Sequence, residues 1–155
     1  MSKRRKQKQK KLPVPLIGLV IGGILLIAAA IFLFSGGNNG GGTPALAVDQ
    51  QVIDYGDVKL DTPKTFAITV TNTGDGALRF KEQPYIEILE GCCPPYLTIG
   101  SMVLKPGEST TIESGVFTMH EGHGMGGKHN FAVHLITNDP TQPDVVVNVL
   151  SNWVP

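Results

Sequence analysis

The chain of 155 residues lacks the short motifs of several common enzyme classes. It contains no Gly-x-Ser-x-Gly nucleophile elbow, no phosphate-binding glycine loop and no His-Glu-x-x-His sequence. Its two cysteines are adjacent, without the Cys-x-x-Cys spacing of thioredoxin-like redox proteins. Acidic residues are scattered, with no pair that indicates acid–base catalysis. These absences favour a protein that is not an enzyme.

Negative charge is missing from the first part of the chain, where no acidic residue precedes Asp49. Seven of the 13 basic residues lie within the first eleven positions, and the rest of the chain carries all 13 acidic residues. A basic run alone can indicate nucleic-acid binding, but the acidic character of the remainder argues against such a partner. The divided charge favours a chain that occupies two compartments.

Residues 12–34 contain no charged side chain and predict one transmembrane helix. As a helix this stretch would extend about 34 Å, enough to cross a hydrocarbon core of about 30 Å. The positive-inside rule places the basic tail, residues 1–11, in the cytoplasm and the C-terminal part outside the cell membrane. A cleaved signal peptide is the alternative, because Ala45-Leu46-Ala47 resembles a cleavage site. The apolar run is longer than a typical signal segment, which favours an uncleaved, single-pass anchor.

The predicted membrane helix has two candidate partners, the lipid bilayer and a second copy of the chain. Gly18 and Gly22 form the small-xxx-small pattern that brings membrane helices together, although glycine is also simply common in such helices. The basic tail could in addition contact anionic lipid. Residues 35–46, rich in glycine and asparagine, predict a flexible linker, which leaves residues 47–155 as the folded domain.

Residues 47–155 show the two-residue periodicity of β-strands and no sustained helical period. Phe66, Ile68 and Val70, for example, alternate with threonine and alanine, and turn signals follow at residues 72–76 and 105–108. The predicted strands are residues 51–55, 65–71, 78–89 with a bend at Pro84, 96–104, 109–119, 129–137 and 145–151. Seven strands in about 109 residues predict an all-β fold, a seven-stranded Ig-like Greek-key sandwich.

The order of these motifs resembles bacterial Ig-like domains of unknown function, which are related to the abnormal-spindle/hydin type of β-sandwich. The resemblance covers roughly residues 48–151 and implies a non-enzymatic module. It is carried by Tyr55-Gly56-Asp57-Val58, the strand from Phe66 to Asn72-Thr73-Gly74, a cysteine-containing turn, Leu104-Lys105-Pro106-Gly107-Glu108 and Thr137-Asn138-Asp139-Pro140. The chain departs from many members in two places, since it has Cys92-Cys93-Pro94-Pro95 instead of Cys-Gly-Cys and a hairpin rich in His and Met.

That hairpin, residues 119–129, predicts a metal site together with the cysteine turn. It holds three imidazoles and two thioethers, and this donor set with thiolate favours copper, above all Cu(I), over zinc. Alternate loops of an Ig-like sandwich emerge at the same end, so the two loops meet unless Pro84 divides residues 78–89 into two antiparallel strands. Adjacent side chains diverge in extended backbone, so we expect only one of the two thiolates on one ion. The predicted ligands are Cys92, Cys93, Met119, His120, His123, Met125 and His129.

Other interpretations of the same residues stay open. The hairpin also fits an ordinary solvated loop, and Met119 could simply end a core strand. The cysteines could be buried, could form a strained vicinal disulfide outside the cytoplasm, or could link two chains. The order of the donors differs from that of cupredoxins, so we do not predict electron transfer. The competing function is a non-catalytic interaction module that binds another envelope protein without metal.

We predict that the full-length polypeptide sediments with membranes and that protease added to intact cells removes its C-terminal portion. An uncharged stretch of 23 residues is more stable in lipid than in water, whereas its basic flank resists crossing. Immunoblotting against residues 47–155 measures both properties, and detergent-lysed cells are the control. Recovery in the supernatant, or protection of the C-terminal portion in intact cells, would contradict this placement.

Overall fold

A computed structural model describes residues 41–122 and 124–155 of the chain. No helix within these ranges is long and apolar enough to cross a membrane. The predicted cytoplasmic tail and membrane helix, residues 1–34, lie outside the described residues, as do the first half of the predicted linker, residues 35–40, and His123. The first described contacts of the fold involve Thr43, whose carbonyl accepts hydrogen bonds from the backbone N–H groups of Asp75 and Gly76.

Ten strands make up two four-stranded sheets and one two-stranded ribbon in the described part of the chain. They are β1 (Leu46–Val48), β2 (Val52–Lys59), β3 (Ala67–Asn72), β4 (Leu78–Arg79), β5 (Tyr85–Glu90), β6 (Leu97–Ile99), β7 (Val103–Leu104), β8 (Ser109–Ser114), β9 (Gly127–Ile136) and β10 (Asp144–Val154). One sheet has the order β1-β3-β8-β6, the other has the order β2-β10-β9-β5, and β4 pairs with β7. Strand β10 pairs in parallel with β2, and the remaining pairs are antiparallel.

The prediction of an all-β fold is confirmed, but the count of seven strands is wrong. The sequence pattern does not predict strand β1, which is only three residues long, and two predicted strands are each divided in two. Pro84 has no N–H group to donate, so strand pairing is interrupted in the segment that separates β4 from β5. Between β6 and β7 the side chain of Ser101 competes with the backbone ladder, since its Oγ lies 2.7 Å from the carbonyl oxygen of Val103.

The interruption at Pro84 does not reverse the direction of the chain. Phe80 bridges to Thr137 before the proline, and Tyr85 pairs with His134 after it, both in antiparallel fashion. Residues 80–90 therefore run in one direction along β9. As a result the turn that follows β5 emerges at the end of the sandwich where β9 begins.

The core between the sheets is built from the alternating apolar residues that the sequence pattern predicted. Ile68 and Val70 of β3, Val133 of β9 and Val147 of β10 are all fully buried. Trp153 is also buried, and its indole N–H donates a hydrogen bond of 2.9 Å to Ser151 Oγ. Each of the buried Ile and Val side chains contributes about 1.5–3 kcal/mol to the stability of the fold, because burial removes it from water.

Two predicted turns have the geometry that their residues demand. Gly107 has φ of 79°, as the third residue of a type II turn requires, and Glu108 N–H donates to the Lys105 carbonyl at 3.0 Å. The turn after β3 is organised by the buried side chain of Asn72, whose amide donates to the carbonyls of Gly76 and Leu104 at 2.8 and 3.0 Å. These bonds satisfy a polar group that would otherwise destabilise the core.

Asp139, in the turn between β9 and β10, holds the first strand onto the domain. Only 1% of its surface is exposed, yet its carboxylate accepts hydrogen bonds from the Leu46 N–H at 2.8 Å and from Thr141 and Gln142. Burial by itself raises the pKa of this carboxyl, but the hydrogen bonds outweigh it and hold the pKa below the usual 3.8. The charged form is therefore the one that stabilises the fold.

We predict that Asp139→Asn lowers the free energy of unfolding by about 2–4 kcal/mol at neutral pH, because the amide presents a donor where donors already converge. Because the folded pKa lies below the unfolded one, the contribution is present above the unfolded pKa and is lost as pH falls through the folded pKa. The difference in free energy of unfolding between wild type and Asp139→Asn should therefore become smaller below about pH 4. Urea unfolding measures both effects, with exposed Glu82→Gln as the matched control. A small stability difference at neutral pH, or a difference that stays the same in acid, would contradict the stabilising role of the Asp139 carboxylate.

Candidate metal site

Cys92, Cys93 and His129 lie together at the end of the sandwich where β5 stops and β9 starts. The two Sγ atoms are 2.7 Å apart, and Cys92 Sγ is 4.0 Å from His129 Nε2. Both cysteines are free, Cys92 half-buried against the core and Cys93 exposed. The cysteine turn and the second strand of the His/Met hairpin thus share an end, because β5 runs antiparallel to β9.

The hydrogen bonding of His129 suits a metal ligand. Only 3% of the surface of His129 is exposed, and its Nδ1 lies 3.2 Å from the carbonyl oxygen of Gly127. A carbonyl only accepts hydrogen bonds, so Nδ1 acts as the donor in this contact, and Nε2 is the nitrogen that faces Cys92. A backbone carbonyl on the far nitrogen is one of the usual partners that orient a metal-binding imidazole in proteins.

The two cysteine side chains converge because of an unusual backbone. Cys93 has φ of 61°, in the left-handed region that costs a non-glycine residue about 1–2 kcal/mol. The expectation that the neighbouring side chains diverge is wrong here, since it holds for extended backbone and this residue is not extended. Backbone strain of this kind is concentrated at functional sites in proteins.

Gly91 lets the cysteine turn approach His129. Its φ is 88°, and a Cβ atom added there would lie 2.3 Å from Cδ2 of the His129 ring. No side chain larger than hydrogen therefore fits between the turn and the imidazole. Gly91 thus allows the backbone of the turn to lie directly against the imidazole.

The structure places the other predicted ligands in different surroundings. Met119 is fully buried in the core, where its carbonyl accepts a hydrogen bond from the Asp61 N–H. His120 is exposed, and its Nδ1 lies 2.7 Å from Asp61 Oδ1. Met125 is half-buried against the core, and His123 lies outside the described residues. Among residues 41–122 and 124–155, no three His, Cys, Asp or Glu side chains are grouped so that they could hold a metal ion.

The Cys92–His129 distance nevertheless fits a low coordination number. With metal–sulfur and metal–nitrogen bonds of about 2.3 and 2.0 Å, the donors are about 3.7 Å apart in a trigonal site and about 4.3 Å apart in a linear one. The observed 4.0 Å lies between these values. The two sulfur atoms would have to separate to roughly 4 Å, which rotation of the exposed Cys93 side chain allows.

The pKa of the Cys92 thiol is raised above the ordinary value of 9.0. The hydrogen bond with Cys93 is the main cause, followed by burial and by the charge of Cys93 when that thiol ionises. Cys92 therefore keeps its proton at neutral pH in the metal-free protein. A metal ion that binds there must displace this proton.

An acidic cavity of about 340 Å³ adjoins His129. Asp54, Asp57 and Glu90 contribute carboxylates to its lining, against one lysine, Lys128. Two irregular strand pairings flank it, one between Leu150 and Asn152 in β10 and one at the end of β5. The excess of negative charge attracts cations to the same end of the sandwich.

A second polar cluster, which the sequence did not reveal, lies on the outer face of the sheet that contains β9. His134 stacks on Tyr85 with ring centroids 4.9 Å apart, and its two nitrogens lie 3.0 and 3.2 Å from Asp144 and Glu87. Burial lowers the pKa of this imidazole, but the bonds and charges of the two carboxylates outweigh burial and raise the pKa above 6.5. Its contribution to stability is present below pH 6.5 and lost as pH rises through the raised pKa. Only the cross-strand register brings these residues together.

Comparison with known proteins identifies the domain type. Residues 44–151 match the family described as HYDIN/CFA65/VesB-like, Ig-like domain. Among solved structures, a protein of unknown function from Porphyromonas gingivalis W83 is similar with 21% identity and a TM-score of 0.55, over 71% of this chain and 47% of that one. The secreted serine protease VesC from Vibrio cholerae is similar with 16% identity and a TM-score of 0.53, over 72% of this chain and 24% of that one. The chain thus spans less than half of either protein, and the likeness concerns the fold. A search of curated proteins found no match.

We predict that Gly91→Ala lowers the free energy of unfolding by at least about 1 kcal/mol more than Gly107→Ala. Both glycines have positive φ, but only the Cβ at position 91 meets another side chain, whereas nothing lies within 4 Å of a Cβ at position 107. The control variant Gly107→Ala therefore loses stability only through backbone strain of about 1 kcal/mol. The additional loss in Gly91→Ala measures the clash with His129. Urea unfolding of both variants measures it. Equal losses would show that His129 does not press against the turn.

Proposed function

The chain belongs to the HYDIN/CFA65/VesB-like Ig-like domain family, and we propose that this member is a non-catalytic copper-binding module. The thiolates of Cys92 and Cys93 and the imidazole of His129 form the proposed Cu(I) site. The observation that carries the proposal is the approach of Cys92 Sγ to within 4.0 Å of His129 Nε2, with the second sulfur 2.7 Å away. These donors come from two separate parts of the sequence and meet through the pairing of β5 with β9.

Cu(I) fits this donor set better than Zn²⁺ does. Soft thiolate ligands favour Cu(I), which is stable with two or three ligands, whereas structural zinc sites are almost always four-coordinate. A single imidazole with two thiolates supplies three donors, one fewer than structural zinc sites usually take. Met125 belongs to the same hairpin as His129, but it packs against the core and is not one of the three proposed donors.

The proposed site lies outside the cytoplasm, on a domain tethered to the cell membrane. Residues 12–34 and the basic tail before them support this placement, with the bilayer as the first partner. The spacing of Gly18 and Gly22 supports a homodimer through the membrane helix. Nucleic acid is not proposed as a partner, because the folded domain is acidic. Near the outer face of a membrane, such a module would capture copper ions or hand them over.

A second candidate function is protein interaction without metal, and the edge strand β5 favours it. Tyr85, Ile88 and Leu89 of this strand are 43%, 45% and 53% exposed, and β5 ends its sheet. An exposed apolar edge strand can accept a strand from another envelope protein. This function would leave Cys92, Cys93 and His129 without a role, which is why we rank it second.

We predict that the full-length chain, purified in mild detergent under reducing conditions, binds one equivalent of Cu(I) in competition with a chromogenic chelator. Loss of either thiolate by Cys92→Ser or Cys93→Ser should weaken binding at least about 100-fold. His129→Gln should weaken it at least about 10-fold, because even the loss of a partner that orients a metal ligand typically costs about 10–100-fold. His134→Gln is the matched control, because His134 is bound to Asp144 and Glu87 on the outer face of the sheet.

Two further variants separate the predicted ligands from one another. His120→Gln should have little effect on Cu(I) affinity, since the ring of His120 pairs with Asp61. The double variant His123→Ala, Met125→Ala measures how much the rest of the hairpin contributes to Cu(I) affinity. Circular dichroism confirms that each variant is folded. If wild type fails to compete at micromolar copper, or if the cysteine variants bind as well as wild type, the copper proposal is wrong and the interaction module becomes the better account.

A further inference from the structure

The two cysteines differ in a way that the metal site alone does not require. Cys93 is exposed, Cys92 is half-buried, and their Sγ atoms are 2.7 Å apart without being bonded. An exposed thiol is accessible to a dissolved or protein-borne reagent. The neighbouring sulfur is close enough to attack any group that the exposed one acquires.

A bond between these sulfurs would be strained. Neighbouring Cα atoms across a trans peptide are about 3.8 Å apart, and no cis peptide occurs in the described residues. Ordinary disulfides join Cα atoms that are about 4.4–6.8 Å apart, and deviation from this range makes the bond easier to reduce. Strained and exposed disulfides are the labile, regulatory ones. The left-handed conformation of Cys93 already brings the two side chains to the same side.

We propose that Cys92 and Cys93 are a reversible modification site, at which an oxidant of the disulfide class converts the two thiols into a vicinal disulfide. The consequence for copper rests on the proposed function, because the disulfide removes both thiolate ligands and leaves His129 alone. The modification itself requires no metal. In the oxidised form the module releases Cu(I), and in the reduced form it binds Cu(I) again.

The reaction is two successive thiol–disulfide exchanges. The Cys93 thiolate attacks one sulfur of the oxidant, whose S–S bond breaks, and a mixed disulfide forms on Cys93 while one thiol leaves. The Cys92 thiolate then attacks Sγ of Cys93, so that the bond between the two cysteines forms and the second thiol leaves. The protein loses two electrons and two protons, and the oxidant gains both and becomes two thiols.

The exchange order follows from exposure and can be read from single variants. Cys93 attacks the oxidant in the first step because it is exposed. Cys92, which is half-buried, resolves the mixed disulfide in the second step. With Cys92→Ser, the mixed disulfide on Cys93 has no resolving thiol and should accumulate. With Cys93→Ser, the remaining half-buried thiol should react at least tenfold more slowly.

The test uses the full-length, metal-free chain in mild detergent, treated with oxidised glutathione under anaerobic conditions. Intact-mass measurement should show the loss of two hydrogens, disappearance of both alkylatable thiols and full reversal by reduced glutathione. Cys92→Ser should instead gain one glutathione. Disulfide-linked dimers, stable double glutathionylation of wild type, or no reaction would each overturn the proposal. Circular dichroism of each variant excludes unfolding as the cause.

Copper binding by the desalted samples separates the two proposals. The oxidised chain should bind Cu(I) at least 100-fold more weakly than the reduced chain, and reduction should restore binding. If the vicinal disulfide forms but the reduced chain does not bind Cu(I), the metal proposal fails and the modification site stands. If the reduced chain binds Cu(I) but forms no vicinal disulfide, or if the disulfide leaves binding unchanged, the switch is wrong.

Discussion

The antiparallel pairing of β5 with β9 is the constraint on which the candidate site depends. This pairing continues from Tyr85, opposite His134, to Glu90, opposite Asn130, and it delivers the cysteine turn beside His129. The approach is fixed further by Gly91, because no larger side chain fits against the imidazole. Both sulfur atoms and the ring thus owe their proximity to sheet hydrogen bonds made by residues that are themselves unreactive. The remainder of the sandwich supports the same end, since β9 also pairs along its whole length with β10.

Stability and chemistry are divided between the two ends of β9. At its C-terminal end the buried carboxylate of Asp139 holds β1 in place with hydrogen bonds and a lowered pKa. At its N-terminal end the chain keeps a strained Cys93, two unbonded thiols and a buried imidazole whose Nε2 faces sulfur. Strained backbone and reactive groups persist only where the surrounding structure fixes them. This distribution fits a rigid β-sandwich that presents a small set of soft donors at one edge.

Much of the fold could be predicted from sequence, whereas the site could be predicted only in part. The alternation around Ile68 and the type II turn at Gly107 are local signals, and both are confirmed. Strand β1 was missed because three residues carry too little pattern, and the effect of Pro84 needed the register of β9 to be understood. The left-handed Cys93 gives no local signal, and neither does the pairing of His120 with Asp61, because both are set by tertiary contacts. That Cys92 and His129 lie at the same end of the sandwich follows from strand order, because alternate loops emerge at the same end. The sequence could therefore predict that these two residues lie near each other.

We propose that two sulfur atoms and one imidazole of this domain bind a single Cu(I) ion. X-ray absorption at the copper edge of the full-length chain, loaded with one equivalent of Cu(I), measures the neighbours of the metal directly. We expect two sulfur neighbours and one nitrogen neighbour, with both sulfurs lost in the Cys92→Ser, Cys93→Ser double variant. A spectrum with only nitrogen and oxygen neighbours, or a sulfur signal that persists in the double variant, would contradict the account.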